Sequence, residues 1–372
     1  MTPVVPETAM RILALNSGSS SLKFGCYRVS RSQTEQVFEH EVENSGQAAA
    51  FAQIDTLLKQ AGIPRPDAIG HRIVHGGASL QQPCMIDPAS LQTLKAATPF
   101  APLHMPAALS VVRYASEHFR EIPQVACFDT GFHSGLPDAA RVLPLPKNLL
   151  AEGIRRYGFH GLSCESIVHQ LAGRLPERLI VAHLGNGASV TAIKAGLSVD
   201  TSMAMTPNSG VLMGTRCGDI DPGVLIYLMR EKGYDLARLE ELLDHRSGLL
   251  GISGIASDLR RLHEAAPGNA DARLALDMFA RSVCKQIAGM ITTLQGIDTL
   301  VFTGGIGEHD PAMRAAIVAG LSCLGVNLDE QCNRDGYRQI HHSSSRCEIL
   351  KLTSQEDHQI ARHTWAVTGT QN

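Results

Sequence analysis

A short apolar run, Arg11-Ile-Leu-Ala-Leu15, lies near the start of the chain, and apolar residues alternate with others over residues 22–29. The segment between them is rich in small polar residues and reads Asn16-Ser-Gly-Ser-Ser-Ser-Leu-Lys23. Alternation with a period of two predicts β-strands, and the short polar segment predicts that the two strands form a hairpin with this loop at its tip.

A similar arrangement occurs near the middle of the chain, where residues 179–182 and 190–193 flank His183-Leu-Gly-Asn-Gly-Ala-Ser189. The repetition predicts a duplicated architecture with one phosphate-facing hairpin in each half. A third strand, Thr299–Thr303, leads into Gly304-Gly-Ile-Gly307, which we interpret as a glycine turn that brings backbone close to a ligand.

Helical periodicity is clearest in an apolar stripe at three- and four-residue spacing, which predicts a core helix. Its members are Leu276, Phe279, Val283, Ile287, Met290, Ile291 and Leu294. Residues 356–365 begin with acidic side chains and carry Ile360 and Ala361, so a closing helix is expected there. Strands and amphipathic helices alternate through both halves, which indicates an α/β protein.

The length of 372 residues favours two domains, with a boundary near the Pro/Gly-containing stretch His133-Ser-Gly-Leu-Pro137. A net charge of −3 gives no electrostatic reason to expect nucleic acid as a partner. Nine cysteines without a C-x-x-C pair argue against a disulfide framework and against a thiolate zinc site. No signal peptide or membrane-spanning run is visible, so we expect a cytoplasmic protein without a membrane partner.

The loop Asn16-Ser-Gly-Ser-Ser-Ser-Leu-Lys23 has the composition of a polyphosphate-binding segment. Small residues allow backbone N–H groups to approach an anion, and Lys23 adds a positive charge. The loop lacks the Walker A spacing, and a strand rather than a helix follows it. A polar hairpin turn without a ligand remains the alternative.

Phosphoryl transfer needs cationic and hydrogen-bonding groups around three equatorial oxygens. Arginines set among apolar or glycine neighbours can supply them, as Arg72 does in His71-Arg-Ile-Val-His75-Gly-Gly77 and Arg216 in Gly214-Thr-Arg-Cys-Gly-Asp219. Buried structural ion pairs are the alternative for both arginines. The spacing of His71 and His75 also occurs in zinc sites on helices, but the β-branched residues between them predict a strand end.

The chain resembles acetate kinase and propionate kinase, members of the acetate and sugar kinase, Hsp70 and actin superfamily. The resemblance extends from about Arg11 to the last helix and rests on many motifs in the family's order. These are NSGSSSLKF, HRIVHGG, APLH, FDTGFH, RRYGFHG, HLGNGAS, DTSMAMTP, MGTRCGDIDPG, SGLLGISG and FTGGIGE.

This resemblance implies a two-lobed, duplicated RNase H-like (actin-like ATPase) α/β fold with an active-site cleft between the lobes. Residues 11–135 and 357–372 are expected to form the N-terminal lobe, which carries the metal and substrate side. Residues 136–356 are expected to form the C-terminal, nucleotide-binding lobe. A homodimer is also implied.

The resemblance further assigns roles to individual positions. Asp129, His160 and Arg216 would be catalytic, Arg72 would bind the substrate, and Asn16 and Glu356 would hold Mg²⁺, with Mn²⁺ as an alternative. The acyl pocket would comprise Val74, Leu103, Phe159 and Pro207. Nucleotide contacts would come from Lys23, His183, Leu184, Gly185, Asn186, Gly187, Asp258, Leu259, Arg260, Gly305, Ile306, Gly307, Glu308 and His309.

The implied reaction is direct in-line transfer between ATP and acetate, giving acetyl phosphate and ADP. A propionate or longer-chain acyl kinase, and an ATP-binding module of the actin or Hsp70 type, are the alternatives. Several positions depart from the family pattern and bear on acyl preference and nucleotide affinity. They are Met105, Leu162, Cys164, Ala204, Met205, Ser209 and His309.

Overall fold

The computed structural model describes residues 9–18, 21–43, 47–102 and 104–369, and these fall into two compact units. Unit 1 contains the described residues up to Ser134, the segment Gly161–Ser166 and the described residues from Gln355 onward. Unit 2 contains Gly135–His160 and Ile167–Ser354.

Unit 1 is built on a six-stranded sheet in the order β3-β2-β1-β4-β6-β5. The first three strands form an antiparallel meander, β1, β4 and β6 are parallel, and β5 is antiparallel to β6. The predicted hairpin is confirmed by β1 and β2. The strands are β1 (Met10–Ser17), β2 (Ser21–Val29), β3 (Thr34–Glu43), β4 (Ala68–Ile73), β5 (Cys84–Met85) and β6 (Gln124–Phe128).

The apolar residues of β1 serve two cores because successive side chains point to opposite faces of a sheet. Leu13 and Leu15 join one buried cluster, whereas Ile12 and Ala14 join another that includes Ile360. Such burial on both faces is typical of strands with parallel neighbours. The helices of unit 1 are α1 (Gln47–Gln60), α2 (Pro88–Ala96), α3 (Met105–His118) and α15 (Glu356–Gly369), and α6 (Gly161–Gln170) begins there.

Unit 2 repeats this plan with a five-stranded sheet in the order β11-β10-β7-β8-β9. An antiparallel meander again lies beside parallel strands, because β7, β8 and β9 are antiparallel and β10 is parallel to β7 and β11. The predicted duplication of the α/β architecture is therefore confirmed. The strands are β7 (Arg178–Leu184), β8 (Ala188–Lys194), β9 (Leu197–Thr201), β10 (Thr299–Thr303) and β11 (Glu348–Lys351).

The predicted core helix is α11 (Ala270–Leu294), which packs against β7 and β8. Phe279, Val283 and Ile287 are fully buried along its apolar stripe. The other helices of this unit are α4 (Asp138–Arg141), α5 (Lys147–Ala151), α7 (Pro222–Lys232), α8 (Leu236–His245), α9 (Gly248–Ser253), α10 (Leu259–Ala265), α12 (Gly304–His309), α13 (Pro311–Gly320) and α14 (Glu330–Asp335).

The glycine turn expected after β10 is wrong, because Gly304 instead begins the short helix α12. Gly304 has φ +77°, and a Cβ there would lie 2.7 Å from the carbonyl oxygen of Leu184. A glycine is thus required where β10 ends beside β7. No helix in the described part of the chain is long and apolar enough to cross a membrane. The nine cysteines, all within the described residues, form no disulfide bond.

Contact between β4 and the closing helix predicts a severe effect of Gly70→Ala. The added Cβ would lie 2.2 Å from Thr364 Oγ1 and 2.6 Å from Ile360 Cγ2. We expect overpacking to destabilise the protein by about 1–3 kcal/mol, visible as a lower Tm in thermal unfolding.

Gly289→Ala is the matched control, because it is the same change within α11 at a glycine with no neighbouring atom within 4 Å. Removing a glycine from a helix interior stabilises by about 0.5–1 kcal/mol. Equal Tm values for the two variants would contradict the packing argument.

Candidate active site

Three predicted site residues of unit 1 lie where neighbouring parallel strands end. Asn16 is near the end of β1, Arg72 near the end of β4, and Asp129 directly after β6. The carboxyl ends of adjacent parallel strands share one sheet edge, which is where α/β proteins commonly bind ligands. The structure therefore brings these three residues together.

Arg72 and Asp129 form a buried ion pair with two-pronged geometry. Arg72 Nε donates to both carboxylate oxygens at 3.1 Å, and Nη2 donates to Oδ2 at 2.7 Å. Burial raises the pKa of Asp129, and the adjacent guanidinium opposes that rise. The Arg72 pKa is raised because Asp129 and Glu356 outweigh its own burial. The pair holds the arginine in one orientation at the sheet edge.

The first turn of α15 supplies two further carboxylates. Asn16 Nδ2 donates to Asp357 Oδ1 at 2.7 Å and to Glu356 Oε2 at 3.2 Å, while its Oδ1 accepts from Arg72 Nη1 at 3.2 Å. We call Asn16, Arg72, Asp129, Glu356 and Asp357 the carboxylate–arginine cluster. Asn16 links its acidic and basic sides.

Lys23, predicted to contact nucleotide phosphates, is held by acidic residues of its own unit. Its Nζ forms ion pairs with Glu39 and with Asp357 Oδ2, the latter at 3.4 Å. Although burial lowers the Lys23 pKa, these two carboxylates raise it above the ordinary value. Lys23 is therefore positively charged at neutral pH.

The donor set of the carboxylate–arginine cluster fits a hard divalent cation. Asp357 Oδ2 is buried and accepts no hydrogen bond besides its ion pair with Lys23, and the carboxylates of Asp357 and Glu356 are joined through the Asn16 amide. Within the described ranges, no group of three His, Cys, Asp or Glu side chains forms a metal cage. Mg²⁺ usually retains several waters and binds through one or two carboxylates, and Glu356 and Asp357 are two neighbouring carboxylates.

His71 and His75, considered for zinc, both have structural contacts. His71 Nε2 lies 2.8 Å from Gln124 Oε1, and burial lowers the His71 pKa to about 4. His75 Nδ1 accepts from the backbone N–H of Gly77, and its ring stacks on Phe100. β4 ends at Ile73, as the β-branched residues predicted.

Unit 2 places the predicted catalytic His160 beside the hairpin of β7 and β8. His160 has a left-handed backbone, with φ +56°, and directly precedes α6. Its ring stacks on that of His183, with centroids 4.2 Å apart and an interplanar angle of 24°. Its Nδ1 lies 3.0 Å from Ser189 Oγ.

Arg216 approaches the same hairpin. A Cβ built on Gly187 would lie 3.1 Å from His160 Nε2 and 3.6 Å from Arg216 Nη1. Arg216 Nη1 also donates to the carbonyl oxygen of Pro207 at 2.8 Å. We call His160, His183, Gly187 and Arg216 the histidine–arginine cluster. It combines an arginine and two imidazole rings with a glycine backbone, as anion sites do.

Two predicted nucleotide segments lie side by side in unit 2, because β7 and β10 are parallel neighbours. His183, Leu184, Gly185, Asn186 and Gly187 form the end of β7 and the following turn, and Gly305, Ile306, Gly307, Glu308 and His309 belong to α12. The hairpin also extends toward residue 257, since a Cβ on Gly214 would lie 2.9 Å from Asn186 Oδ1 and 3.2 Å from the carbonyl oxygen of Ser257.

The third predicted segment begins α10. Asp258 caps this helix by accepting from the backbone N–H of Arg260 at 2.8 Å, and it also pairs with the Arg260 guanidinium. Leu259 is buried, whereas the Arg260 side chain is 88% exposed. Capping gives Asp258 a structural role, and its contact with nucleotide stays a prediction.

A buried arginine that the sequence did not reveal fixes α12. Arg314 is 1% exposed and donates from Nη1 to the carbonyl oxygens of Gly307 and Glu308. Its Nε and Nη2 donate to the side chain and backbone of Asn333. Glu308 Oε1 accepts from the Gly304 and Ser354 N–H groups. The helix is thereby held at both ends.

The predicted acyl-pocket residues are distributed over both units. Val74 is buried in unit 1, and buried Phe159 and half-buried Pro207 belong to unit 2. Leu103 lies outside the described residues. Among the departures from the family pattern, Ser209 Oγ accepts from the backbone N–H of Ala204 at 2.8 Å. The proposed acyl contacts themselves stay predictions.

Sequence reasoning missed Asp357, Ser189 and Arg314. Asp357 adjoins the assigned Glu356, and Ser189 ends the quoted motif HLGNGAS, so proximity to those motifs was an available signal. Arg314 had none, because Asn333 lies 19 positions further along the chain and the other acceptors are backbone carbonyls.

Arg314→Met should destabilise the protein. The change leaves the carbonyls of Gly307 and Glu308 and the Asn333 side chain without this donor, and each unsatisfied buried group costs about 1–3 kcal/mol. Thermal unfolding should show a clearly lower Tm.

The control is Arg334→Met, which removes an exposed arginine paired with Glu330 on the same helix. Its effect should stay within about 0.5 kcal/mol. A double-mutant cycle that combines Arg314→Met with Asn333→Ala should be strongly non-additive, since Arg314 and Asn333 share one hydrogen-bond network. Additive effects would argue against the proposed role of Arg314 in holding α12.

Comparison with known proteins agrees with the motifs and the geometry. Acetate kinase of Heliobacterium modesticaldum is 37% identical over 393 residues, covering 96% of this chain and 99% of the relative. Acetate kinase 2 of Neisseria meningitidis serogroup B is 41% identical over 392 residues, covering 96% and 98%.

Solved structures of similar proteins have the same fold. A propionate kinase from Francisella tularensis aligns with a TM-score of 0.88 at 35% identity, covering 96% of this chain and all of that chain. Acetate kinase from Porphyromonas gingivalis aligns with a TM-score of 0.84 at 33% identity, covering 96% and 99%. The sequence model described as the acetokinase family matches residues 27–362, and the chain therefore belongs to the acetokinase family.

Proposed function

We propose that this protein is an acetate kinase that catalyses reversible, direct in-line phosphoryl transfer from ATP to acetate, giving acetyl phosphate and ADP. The observation that carries this proposal is the convergence of His160 Nε2 and Arg216 Nη1 on the backbone at Gly187. A transferring phosphoryl group spreads negative charge over three equatorial oxygens, and positioned donors of this kind stabilise it.

His160 and Arg216 are the residues that stabilise the transferring phosphoryl group in this proposal. Arg216 is anchored through the Pro207 carbonyl, and His160 is fixed by its stack on His183. Preorganisation matters because donors that already point at the developing charge do not have to reorganise during the reaction.

Arg72 binds the acetate carboxylate, and Asp129, the third catalytic residue in this proposal, accepts the hydrogen bonds that orient the Arg72 guanidinium. A guanidinium presents a planar fork that matches a carboxylate, and Arg72 is held by three hydrogen bonds to Asp129. The Nη1 atom instead faces Asn16 and Glu356. Val74, Leu103, Phe159 and Pro207 supply the apolar lining for the methyl group.

Mg²⁺ is held by Asn16 and Glu356 in this proposal, with Mn²⁺ as an alternative, and when bound it neutralises phosphate charge. The oxygen donors of the carboxylate–arginine cluster support it. In the structure the Asn16 amide directs its NH₂ group toward Glu356 and its oxygen toward Arg72. An oxygen contact from Asn16 on the Glu356 side therefore requires that amide to rotate.

The nucleotide is bound by Lys23, by the turn after β7, by the start of α10 and by α12. The adjacency of the β7 turn and α12 supports two of these assignments, because both present glycine backbone at the carboxyl ends of parallel strands. Glu308 and Arg314 hold α12 in place for this role.

Acetyl phosphate formation tests the function directly. With ATP, Mg²⁺ and acetate, the protein should form an acyl phosphate that hydroxylamine traps as a coloured hydroxamate. Arg216→Ala should lower kcat by about 10²–10³-fold, because it removes a cationic donor from the phosphoryl group. Assays with propionate and butyrate measure acyl preference in the same format.

The matched control for that variant is Arg281→Ala, which removes an exposed arginine on α11. It should leave turnover unchanged. Intact turnover in Arg216→Ala would refute the assigned role. ATP hydrolysis that acetate does not affect would instead favour a nucleotide-binding module, and higher kcat/KM for propionate would identify a propionate kinase.

We further propose that the protein forms a homodimer through α7. This eleven-residue helix has no buried residue, yet it carries a set of exposed apolar side chains. They are Val224, Ile226, Tyr227 and Met229, the last three each 53% exposed. A helix that exposes several large apolar side chains is a candidate protein–protein interface.

Ile226→Glu should convert the dimer to a monomer, because a second copy would have to bury the new charge against an apolar surface. Sedimentation velocity across a range of protein concentrations measures the change. Leu197→Glu is the control, since Leu197 is 71% exposed in the same unit but lies at the start of β9. A wild-type monomer, or a dimer that tolerates Ile226→Glu, would disprove the α7 interface.

A further inference from the structure

The edge of the His160 ring opposite Gly187 contacts a buried hydroxyl. His160 Nδ1 lies 3.0 Å from Ser189 Oγ, and Ser189 is fully buried on β8 while His160 is 9% exposed. Ser189 is paired with His183 across the hairpin, and His183 is the residue whose ring stacks on His160. One short hairpin therefore contacts both a face and an edge of the same imidazole.

The backbone of His160 adds to this constraint. A φ of +56° is unusual for a residue with a side chain, and such conformations persist where the surrounding structure enforces them. The stacked ring, the left-handed backbone and the Ser189 contact together leave Nε2 directed toward Gly187, beside Arg216. The orientation of the ring is thus determined by the local fold.

The orientation of the ring does not determine which of its two nitrogens carries the proton. Neutral imidazole carries one N–H, and only the tautomer with the proton on Nε2 can donate a hydrogen bond toward a phosphoryl oxygen at Gly187. The other tautomer would present a lone pair to that oxygen. A catalytic histidine in this place therefore needs a partner that selects the tautomer.

A serine hydroxyl can meet this need in both charge states of the histidine. With neutral His160, the Ser189 O–H donates to Nδ1 and the proton stays on Nε2, because the opposite arrangement would deprive this buried hydroxyl proton of the acceptor that Nδ1 provides. With the imidazolium, Nδ1–H donates to Ser189 Oγ, which accepts through a lone pair. Nε2 keeps its proton in either case, so the donor persists as pH changes.

We propose that Ser189 is a positioning residue that keeps the proton on His160 Nε2, so that this atom donates to the transferring phosphoryl group. The inference rests on the proposed function, because it assigns His160 its role there. Ser189 itself makes no contact with substrate in this proposal. Its effect is exerted through the histidine.

The test is the pH dependence of kcat for Ser189→Ala in the full-length enzyme. At the alkaline end of the profile, where an imidazole is neutral, loss of tautomer selection should lower kcat by about tenfold, which corresponds to the free energy of about one hydrogen bond. At the acidic end of the profile, an imidazolium carries a proton on Nε2 without help, so kcat of the variant should approach kcat of the wild type. KM for ATP and acetate should change little.

Two variants separate positioning from stability. Ser189→Thr retains the hydroxyl and should restore most of the activity at about pH 8.5. Thr191→Val removes an equally buried hydroxyl from the same face of β8, one that pairs with Thr201 Oγ1 at 2.9 Å, and should cause no pH-dependent loss. A loss in Ser189→Ala that is the same at every pH and is matched by Thr191→Val would overturn the proposal.

A spectroscopic readout does not depend on activity. Nitrogen-15 NMR of the histidine rings, with His160 assigned by His160→Gln, should show the Nε2–H tautomer in the wild type. Ser189→Ala should show a mixture of tautomers. An Nδ1–H tautomer in the wild type would refute the role of Ser189 even in an active enzyme. Lack of acyl phosphate formation with the expected tautomer would instead refute the proposed function.

Discussion

The parallel pairing of strands in each sheet determines where the chemistry of this protein lies. β1, β4 and β6 end at one edge of the first sheet, and β7 and β10 end together in the second. Parallel strands have their carboxyl ends in common, so polar residues that follow them are collected without any sequence proximity. Asn16 and Asp129 meet Arg72 for this reason, and the β7 turn meets α12 for the same reason.

Burying charged groups at a sheet edge is energetically unfavourable, and ion pairs in the site partly offset this cost. Burial raises the pKa of Asp129 and of Asp357, while Arg72 and Lys23 offset this. Because Glu356 and Glu39 also face the same two cations, the acidic groups outnumber the basic ones. A divalent cation would remove this imbalance, which agrees with our proposal that Mg²⁺ binds there.

The sequence was sufficient for features encoded in local patterns. The β1–β2 and β7–β8 hairpins, α11 and α15 follow from periodicity and turn residues over short windows. α12 was missed because Gly304-Gly-Ile-Gly307 contains glycines, which usually end regular structure. This helix depends on the hydrogen bonds that Arg314 and Glu308 make to its backbone. The Arg72–Asp129 pair joins residues 57 positions apart, so no local signal could distinguish a substrate-binding arginine from a structural ion pair. The geometry of the Arg72–Asp129 pair fits both roles, since an arginine held by a structural ion pair is also preorganised to bind a substrate.

The choice of a hydroxyl rather than a carboxylate beside His160 follows from the charge requirements of a phosphoryl-transfer site. A carboxylate at Nδ1 would accept the Nδ1 proton and so select the opposite neutral tautomer, and it would also raise the histidine pKa and place a negative charge near an anionic substrate. A serine that donates to Nδ1 selects the Nε2–H tautomer without adding charge. The full burial of Ser189 on β8 separates it from bulk water. The carboxylates of the carboxylate–arginine cluster lie in unit 1, around Arg72 and Lys23. Ser189 therefore orients the histidine that the proposed transfer requires without adding a negative charge to the histidine–arginine cluster.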